Sequence, residues 1–292
     1  MPSTTTALKH RIGSVRNTRQ ITKAMELVSA SKMRRAQEKA KLSRDYQIAA
    51  YDLLARLSSL KETQIHPLFT RRQVRSRLYV IITSNSGLAG AYNYNVLKAF
   101  TANISSDRTK GIVSRVITVG SKGAQFVRRL EGVELMAVYP AFGDDSSSND
   151  LWPLLDTLIE LYRSKSIDEA SLVYTIFVSN MKQQATVLDI LPAQVQEEED
   201  HPVYKYSFTN FEPSVDVVLE SVAARLLEIQ IWQAVLESLA SEHSMRMVAM
   251  KNATDNANDL IDDLQLAFNT ARQSAITQEL AEITGGAEAI GQ

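Results

Sequence analysis

The sequence predicts an α+α/β protein: two long helices from the chain ends pair as an antiparallel coiled coil, and an α/β domain with a mainly parallel sheet lies between them. Three observations carry this. Glycine and proline punctuate the middle of the chain and desert its ends. A heptad of apolar residues runs through the C-terminal region, and the middle alternates short β-rich runs with helical ones. The segments fall at 1–65, 76–210 and 212–292.

In the N-terminal segment the only breaker between Pro2 and Pro67 is Gly13. Apolar residues recur at helical spacing at Leu8, Ile12, Val15, then Ile21, Met25, Val28, and later Tyr46, Ala49, Leu53, Leu57 and Leu60. The small residues Ser29-Ala30-Ser31 offer a place where a partner helix approaches closely. The C-terminal segment has no breaker for 71 residues between Pro213 and Gly285. Steps of four and three from Val222 reach Leu226, Ile229, Gln233, Leu236, Ala240, His243, Met247, Met250, Thr254, Ala257, Ile261, Leu264, Phe268, Ala271 and Ala275. Thirteen of these sixteen positions are apolar, which is a coiled-coil seam and not a globular amphipathic face. At helical rise such a segment spans roughly 105 Å, so part of it is expected to project from any compact domain.

Charge supports pairing of the two ends. Residues 1–60 carry twelve Lys/Arg against four Asp/Glu, and residues 216–292 carry four against twelve. The near-neutral net charge of −1 conceals this split. A basic end also admits a nucleic-acid reading.

The middle changes period. Leu78–Thr83, Val116–Val119, Leu135–Tyr139, Leu172–Ser179 and Val187–Leu191 read as strands, and Leu151–Arg163 as a helix. Strand–helix alternation indicates a parallel sheet. Between these elements lie a polar loop at Gly143–Asp150 and an acidic one at Gln196–Asp200.

Composition excludes several chemistries. Cysteine is absent, so disulfides, zinc–thiolate sites and thiol nucleophiles are excluded. The histidines (His10, His66, His201, His243) are scattered, and no metal site is expected. No uninterrupted apolar run exceeds five residues, too short for a membrane span or a secretory signal, and helical sequence begins almost at once, which argues against a transit peptide. A cytoplasmic or matrix-facing protein is expected.

The stretch Ile82-Thr83-Ser84-Asn85-Ser86-Gly87-Leu88-Ala89-Gly90-Ala91-Tyr92-Asn93 resembles a phosphate cradle, because a buried strand runs into a glycine-bearing turn before a helix. Its spacing fits neither nucleotide fingerprint, and no Lys, Arg or Asp follows through Asn95. The second strand-turn, Val119-Gly120-Ser121-Lys122-Gly123, has a lysine at the wrong spacing. The basic face Lys32, Arg34, Arg35, Lys39, Lys41 and Arg44 lacks the aromatic companions of a nucleic-acid surface, with only Tyr46 near. Asp144-Asp145 and Asp262-Asp263 read as solvated pairs, and Met245, Met247 and Met250 as adaptable seam packing. Residue by residue, the outcome is an architecture without an active site. A nucleotide enzyme with helical arms and a coiled-coil adaptor stay open as rivals.

The two ends are more specific. Ile21-Thr22-Lys23-Ala24-Met25-Glu26-Leu27-Val28-Ser29-Ala30-Ser31-Lys32-Met33-Arg34-Arg35 closely resembles the N-terminal helix of gamma subunits of rotary F-type ATP synthases, bacterial type. Ser241–Met250 with Asn252-Ala253-Thr254, Ala271-Arg272-Gln273, Ile276–Leu280, Glu282-Ile283 and Gly285-Gly286-Ala287 match the same family. So does Ser84-x-x-Gly87-Leu88-x-Gly90 followed by Tyr92-Asn93, although Asn85-Ser86 replaces the common Asp-Arg and Ala89 the common Cys.

The resemblance implies a non-catalytic central rotor shaft, one copy per complex. Its coiled coil would stand inside a ring of alternating alpha and beta subunits, and a Rossmann-like α/β foot would sit beside the epsilon subunit and the membrane c ring. It implies no cofactor, no metal, no direct nucleotide binding and no nucleic acid, with the chain held peripherally on the cytoplasmic side of a bacterial plasma membrane. By matching positions it assigns beta-subunit contacts to Arg272, Gln273 and Thr277 and to the basic patch Lys23, Lys32, Arg34 and Arg35. A greasy bearing tip falls on Leu280, Ile283 and Ile290, and a foot contact on Phe211 and Glu212 before Pro213.

Overall fold

The computed structural model describes residues 2–58, 66–193 and 215–290. Phe211, Glu212, Leu60 and the acidic loop Gln196–Asp200 lie outside the described residues. In chain order the elements are α1 (Pro2–Ser58), β1 (Ser76–Ile82), α2 (Tyr92–Thr109), β2 (Val113–Val119), α3 (Ser121–Val127), β3 (Val133–Tyr139), a 3₁₀ turn (Ser148–Leu151), α4 (Trp152–Arg163), β4 (Glu169–Ser179), β5 (Lys182–Leu191) and α5 (Val215–Ile290). They form two compact units, Met1–Ala30 with Arg246–Gln292, and Ser31–Met245.

The first unit is a helix pair. Arg19 donates to Asn258 across 3.2 Å, and the Thr22 and Thr254 hydroxyls meet at 2.8 Å, so residue numbers rise on α1 as they fall on α5. The helices are antiparallel. On α5 the expected seam is buried at Met250, Thr254, Ala257, Ile261 and Leu264, and half-buried at Phe268, Ala271 and Ala275. On α1 the heptad runs through Leu8, Ile12, Val15, Arg19, Thr22, Glu26 and Ser29, all buried or half-buried. This corrects the apolar reading: Ile21 is 61% and Val28 53% exposed. Strict steps of four and three from Val15 land on Thr22 and Ser29. Small side chains suit a tight crossing and satisfy their hydroxyls locally or across the seam.

The second unit carries a five-stranded sheet of order β3-β2-β1-β4-β5. The first four strands are parallel, and β5 returns antiparallel against β4. β1 is central because Leu78–Ile82 is apolar on both faces, as a strand covered on both sides requires. Alternation then sorts its side chains between two cores. Leu78, Val80 and Ile82 face Leu154, Leu155, Leu158 and Tyr162 of α4, and Ala223, Leu227, Ile231, Ala234 and Val235 of α5. Tyr79 and Ile81 face Val96, Phe100 and Ile104 of α2 and Val127 of α3. The expected strands and the helix at 151–163 are all present.

Within this unit α5 is buried on two sides. One stripe joins the sheet core, and the seam positions Leu226, Ile229, Gln233, Leu236, Ala240 and His243 are buried as well. No helix among the described residues is long and apolar enough to cross a membrane.

Candidate functional site

The turn after β1 is closed by its own side chains. Asn93 Oδ1 accepts from the Ser84 N–H (3.0 Å), and Asn93 Nδ2 donates to Ser84 Oγ (2.8 Å). Asn85 Oδ1 accepts from the Ser121 N–H at 3.1 Å, and Thr83 Oγ1 accepts from the Gly123 N–H at 2.9 Å. These are the backbone donors that a phosphate at the carboxyl ends of β1 and β2 would need. Packing there is equally tight. Gly120 has φ +95°, and a Cβ on it would come within 2.1 Å of the Thr83 carbonyl oxygen. Asn85 thus bridges the turns after β1 and β2.

A second polar cluster joins three segments of the same unit at Asp144. Lys32 of α1 pairs with Asp144 Oδ2 at 2.7 Å, and His243 of α5 lies 3.2 Å from Oδ1. Lys39 of α1 donates to the Asp144 carbonyl. Burial pushes the Asp144 carboxyl up, but the Lys32 hydrogen bond and charge, with His243, outweigh it and hold it below the usual carboxylate range. The expectation that Asp144 is a solvated acid is therefore corrected. Asp145 is exposed, as expected. Lys32 has a partner within its own chain, and Lys23 likewise pairs with Glu26 one turn on, at 3.1 Å. Arg34 and Arg35 remain exposed.

The upper part of α5 displays the other expected residues. Arg272, Gln273 and Thr277 are exposed, and the Thr277 hydroxyl donates back to the Gln273 carbonyl at 2.9 Å. Among the described residues Arg272 forms no ion pair. Leu266, Gln273, Ile276, Leu280 and Ile283 recur on one helical face, distinct from the seam, with Leu280 58% and Ile283 68% exposed. Arg272 lies one turn before Ile276, at the edge of that same face. Ile290 closes α5. Among the described residues no group of three His, Asp or Glu is arranged to hold a metal.

A family model described as ATP synthase matches residues 4–290. An ATP synthase gamma chain of Glaesserella parasuis serovar 5 (strain SH0165) is 40% identical over 283 residues, covering 97% of this chain and 98% of its own. One from Xanthomonas campestris pv. campestris (strain B100) is 40% identical over 285 residues, with the same coverage. This chain belongs to the ATP synthase gamma chain family. Solved structures share its fold: a chain of the Euglena gracilis mitochondrial ATP synthase, described as OSCP/F1/c-ring in rotational state 3, superposes with a TM-score of 0.67 at 18% identity over 99% of this chain and 95% of that one. A chain of the Tetrahymena thermophila mitochondrial ATP synthase central stalk and c-ring gives 0.62 at 22% identity, covering 80% and 99%.

The gamma chain is a non-catalytic stalk subunit, and the closed strand-end turn fits that role. Sequence patterning missed two polar contacts of this chain. The Thr22–Thr254 bond was signalled by heptad steps continued through polar residues. Asp144 was signalled only by acidity facing a basic helix.

Proposed function

We propose that this chain is the central rotor shaft that passes torque between a membrane c ring and a catalytic hexamer of alpha and beta subunits, so that ion flow drives ATP synthesis or hydrolysis drives pumping. The observation that carries the reading is gamma-chain similarity over nearly the whole chain, at 40% identity. A torque shaft has to be stiff, and an unbroken seam on a helix of 76 residues supplies stiffness. It also has to be asymmetric. Two helices of unlike surface present different contacts to each of three identical catalytic subunits, and each subunit populates the conformation its facing contacts favour. The work is roughly 2.3 kcal/mol per charge moved across 100 mV.

In this reading Arg272 and Gln273 donate hydrogen bonds to beta-subunit carboxylates or carbonyls, with Thr277 beside them. Lys23, Arg34 and Arg35 face acidic beta-subunit loops, and Lys32, committed to Asp144, is set aside from that group. Leu280, Ile283 and Ile290 form a bearing surface that turns with few strong contacts. Phe211 and Glu212 meet the c ring and the epsilon subunit. The complex holds the chain as a peripheral protein on the cytoplasmic face of a bacterial plasma membrane.

The test is affinity purification of the tagged chain from its own cells. Alpha, beta, epsilon and c subunits are expected to co-purify, and a bead fixed to the chain is expected to rotate when ATP is added. Recovery without any of those subunits would refute the reading.

A further inference from the structure

The two long helices are attached to the α/β domain in different ways. α5 is packed into the sheet core through Ala223, Leu227, Ile231, Ala234 and Val235. It is also bonded to β4, where Ser238 accepts from the Thr175 N–H at 3.3 Å. On α1, within the same unit, Met33 and Ala36 are the buried side chains among the described residues. Its links to the α/β domain are polar: Lys32 with the Asp144 carboxylate, Lys39 with the carbonyls of Asp144 and Ser146, and Gln37 with Asn180 at 3.4 Å.

Asp144 touches both helices at once, and its two oxygens are divided between them, Oδ2 to Lys32 and Oδ1 to the buried ring of His243. The loop that presents it is braced. The Gly143 N–H donates to Ser146 Oγ at 2.9 Å and the Ser146 N–H returns to the Gly143 carbonyl at 3.2 Å. Ser147 and Asp150 close a capping box on the following turn, and Phe142 packs edge-on against Trp232 of α5 at 6.2 Å. A charge-assisted, directional contact resists rolling of α1 about its own axis, whereas apolar contacts permit a roll by sliding.

We infer that Asp144 is the coupling latch of the rotor, holding α1 and α5 in one angular register on the α/β domain so that torque reaches the domain through both helices. The inference rests on the shaft reading above. Asp144 is a positioning residue, and its loss makes the shaft compliant under load without touching the catalytic subunits.

Asp144→Asn, Asp144→Glu and Lys32→Gln are introduced into the assembled, membrane-bound complex, with the content of this chain measured. For Asp144→Asn, hydrolysis by the detached catalytic part stays at the parental rate. Its ratio of ions pumped to ATP hydrolysed falls roughly fivefold against an established gradient, the factor that one partly buried ion pair carries in a two-state equilibrium. Asp144→Glu, which keeps the charge, recovers most of the ratio. A parental ratio in Asp144→Asn complexes with full chain content would overturn the latch. If that variant fails to assemble, Lys32→Gln decides in the same way, a lowered ratio supporting the latch and a parental one refuting it. Absence of pumping in the parent complex would mark failure of the shaft reading instead.

Discussion

A carboxylate with no solvent exposure persists at Asp107 because two donors close on it, one of them held from behind by a second carboxylate. Arg77 donates to Oδ1 at 2.6 Å, the Tyr79 hydroxyl donates to Oδ2 at 2.6 Å, and Glu169 accepts from the other side of the Arg77 guanidinium. Burial drives the Tyr79 hydroxyl pKa up, and its bond to Asp107 adds to this. Burial pulls the Arg77 guanidinium down, but its hydrogen bonds and the Glu169 charge leave it raised. Removing Asp107 takes the acceptor from the buried Tyr79 hydroxyl and leaves Arg77 with one carboxylate instead of two. Asp107→Ala should therefore cost about 3 kcal/mol, read as lost amide-exchange protection in β1 and α2. Asp144 gives a pH dependence of known sign. Its folded pKa is depressed, so its stabilisation is full above the ordinary carboxylate pKa near about 4 and is lost as pH falls through the folded value. Amide protection of residues 143–147 should fall in that acid window in the parent and stay flat in Asp144→Asn. Arg272 belongs to the same scale. Without a partner among the described residues, it is available to another chain. Exposed self-pairing is worth less than about 1 kcal/mol, so a large effect on loss would report a partner. Arg272→Ala with Gln273→Ala should leave assembly intact and cut ATP-driven pumping several-fold, and unchanged pumping would return Arg272 to the ordinary surface.

At the scale of the elements, the α1–α5 crossing in the first unit is governed by size. Ser29 is 3% exposed at a seam position, and Thr22 meets Thr254 within hydrogen-bond reach. Ser29→Leu should overpack this crossing and destabilise it by about 2 kcal/mol, visible as faster exchange in residues 15–29 and 250–264. The threonine pair behaves differently. Thr254 also donates to the Met250 carbonyl at 2.9 Å, so it is not orphaned by Thr22→Val, and the single change should cost about 1 kcal/mol. Thr22→Val with Thr254→Val should cost less than the sum of the two single changes. A polar pair inside an apolar seam fixes register, because any slip of the helices leaves its hydroxyls facing apolar side chains. The α/β elements follow simpler rules. The strands were legible as apolar runs because both faces of β1 and β4 are covered. α4 was legible because Leu154, Leu155, Leu158 and Tyr162 mark one buried stripe.

At the scale of the whole molecule, the chain leaves large apolar side chains in water. Ile21, Leu27 and Val28 on α1 and Leu266, Ile276, Leu280 and Ile283 on α5 are exposed in the isolated protein. Such side chains need partners to cover them. The chain purified without alpha and beta subunits should aggregate and hydrolyse no ATP. Turnover by rigorously purified chain, measured by phosphate release, would contradict a role outside catalysis.

The sequence by itself determined the two long helices almost free of glycine and proline, the seam of α5, the opposite charge of the ends, the strand–helix alternation and the family. Each of these is a local or periodic property, and periodicity survives in a one-dimensional string because one buried stripe repeats at a fixed interval. Tertiary structure alone decided that Thr22, and not Ile21 or Val28, faces α5. Close approach selects for size and hydroxyl partners, which hydrophobicity does not record. It alone also made Asp144 a shared partner of Lys32 and His243. The three residues are far apart in sequence, and only folding brings the carboxylate within reach of both the Lys32 ammonium and the His243 ring, where partial burial strengthens what would be a weak surface contact in water.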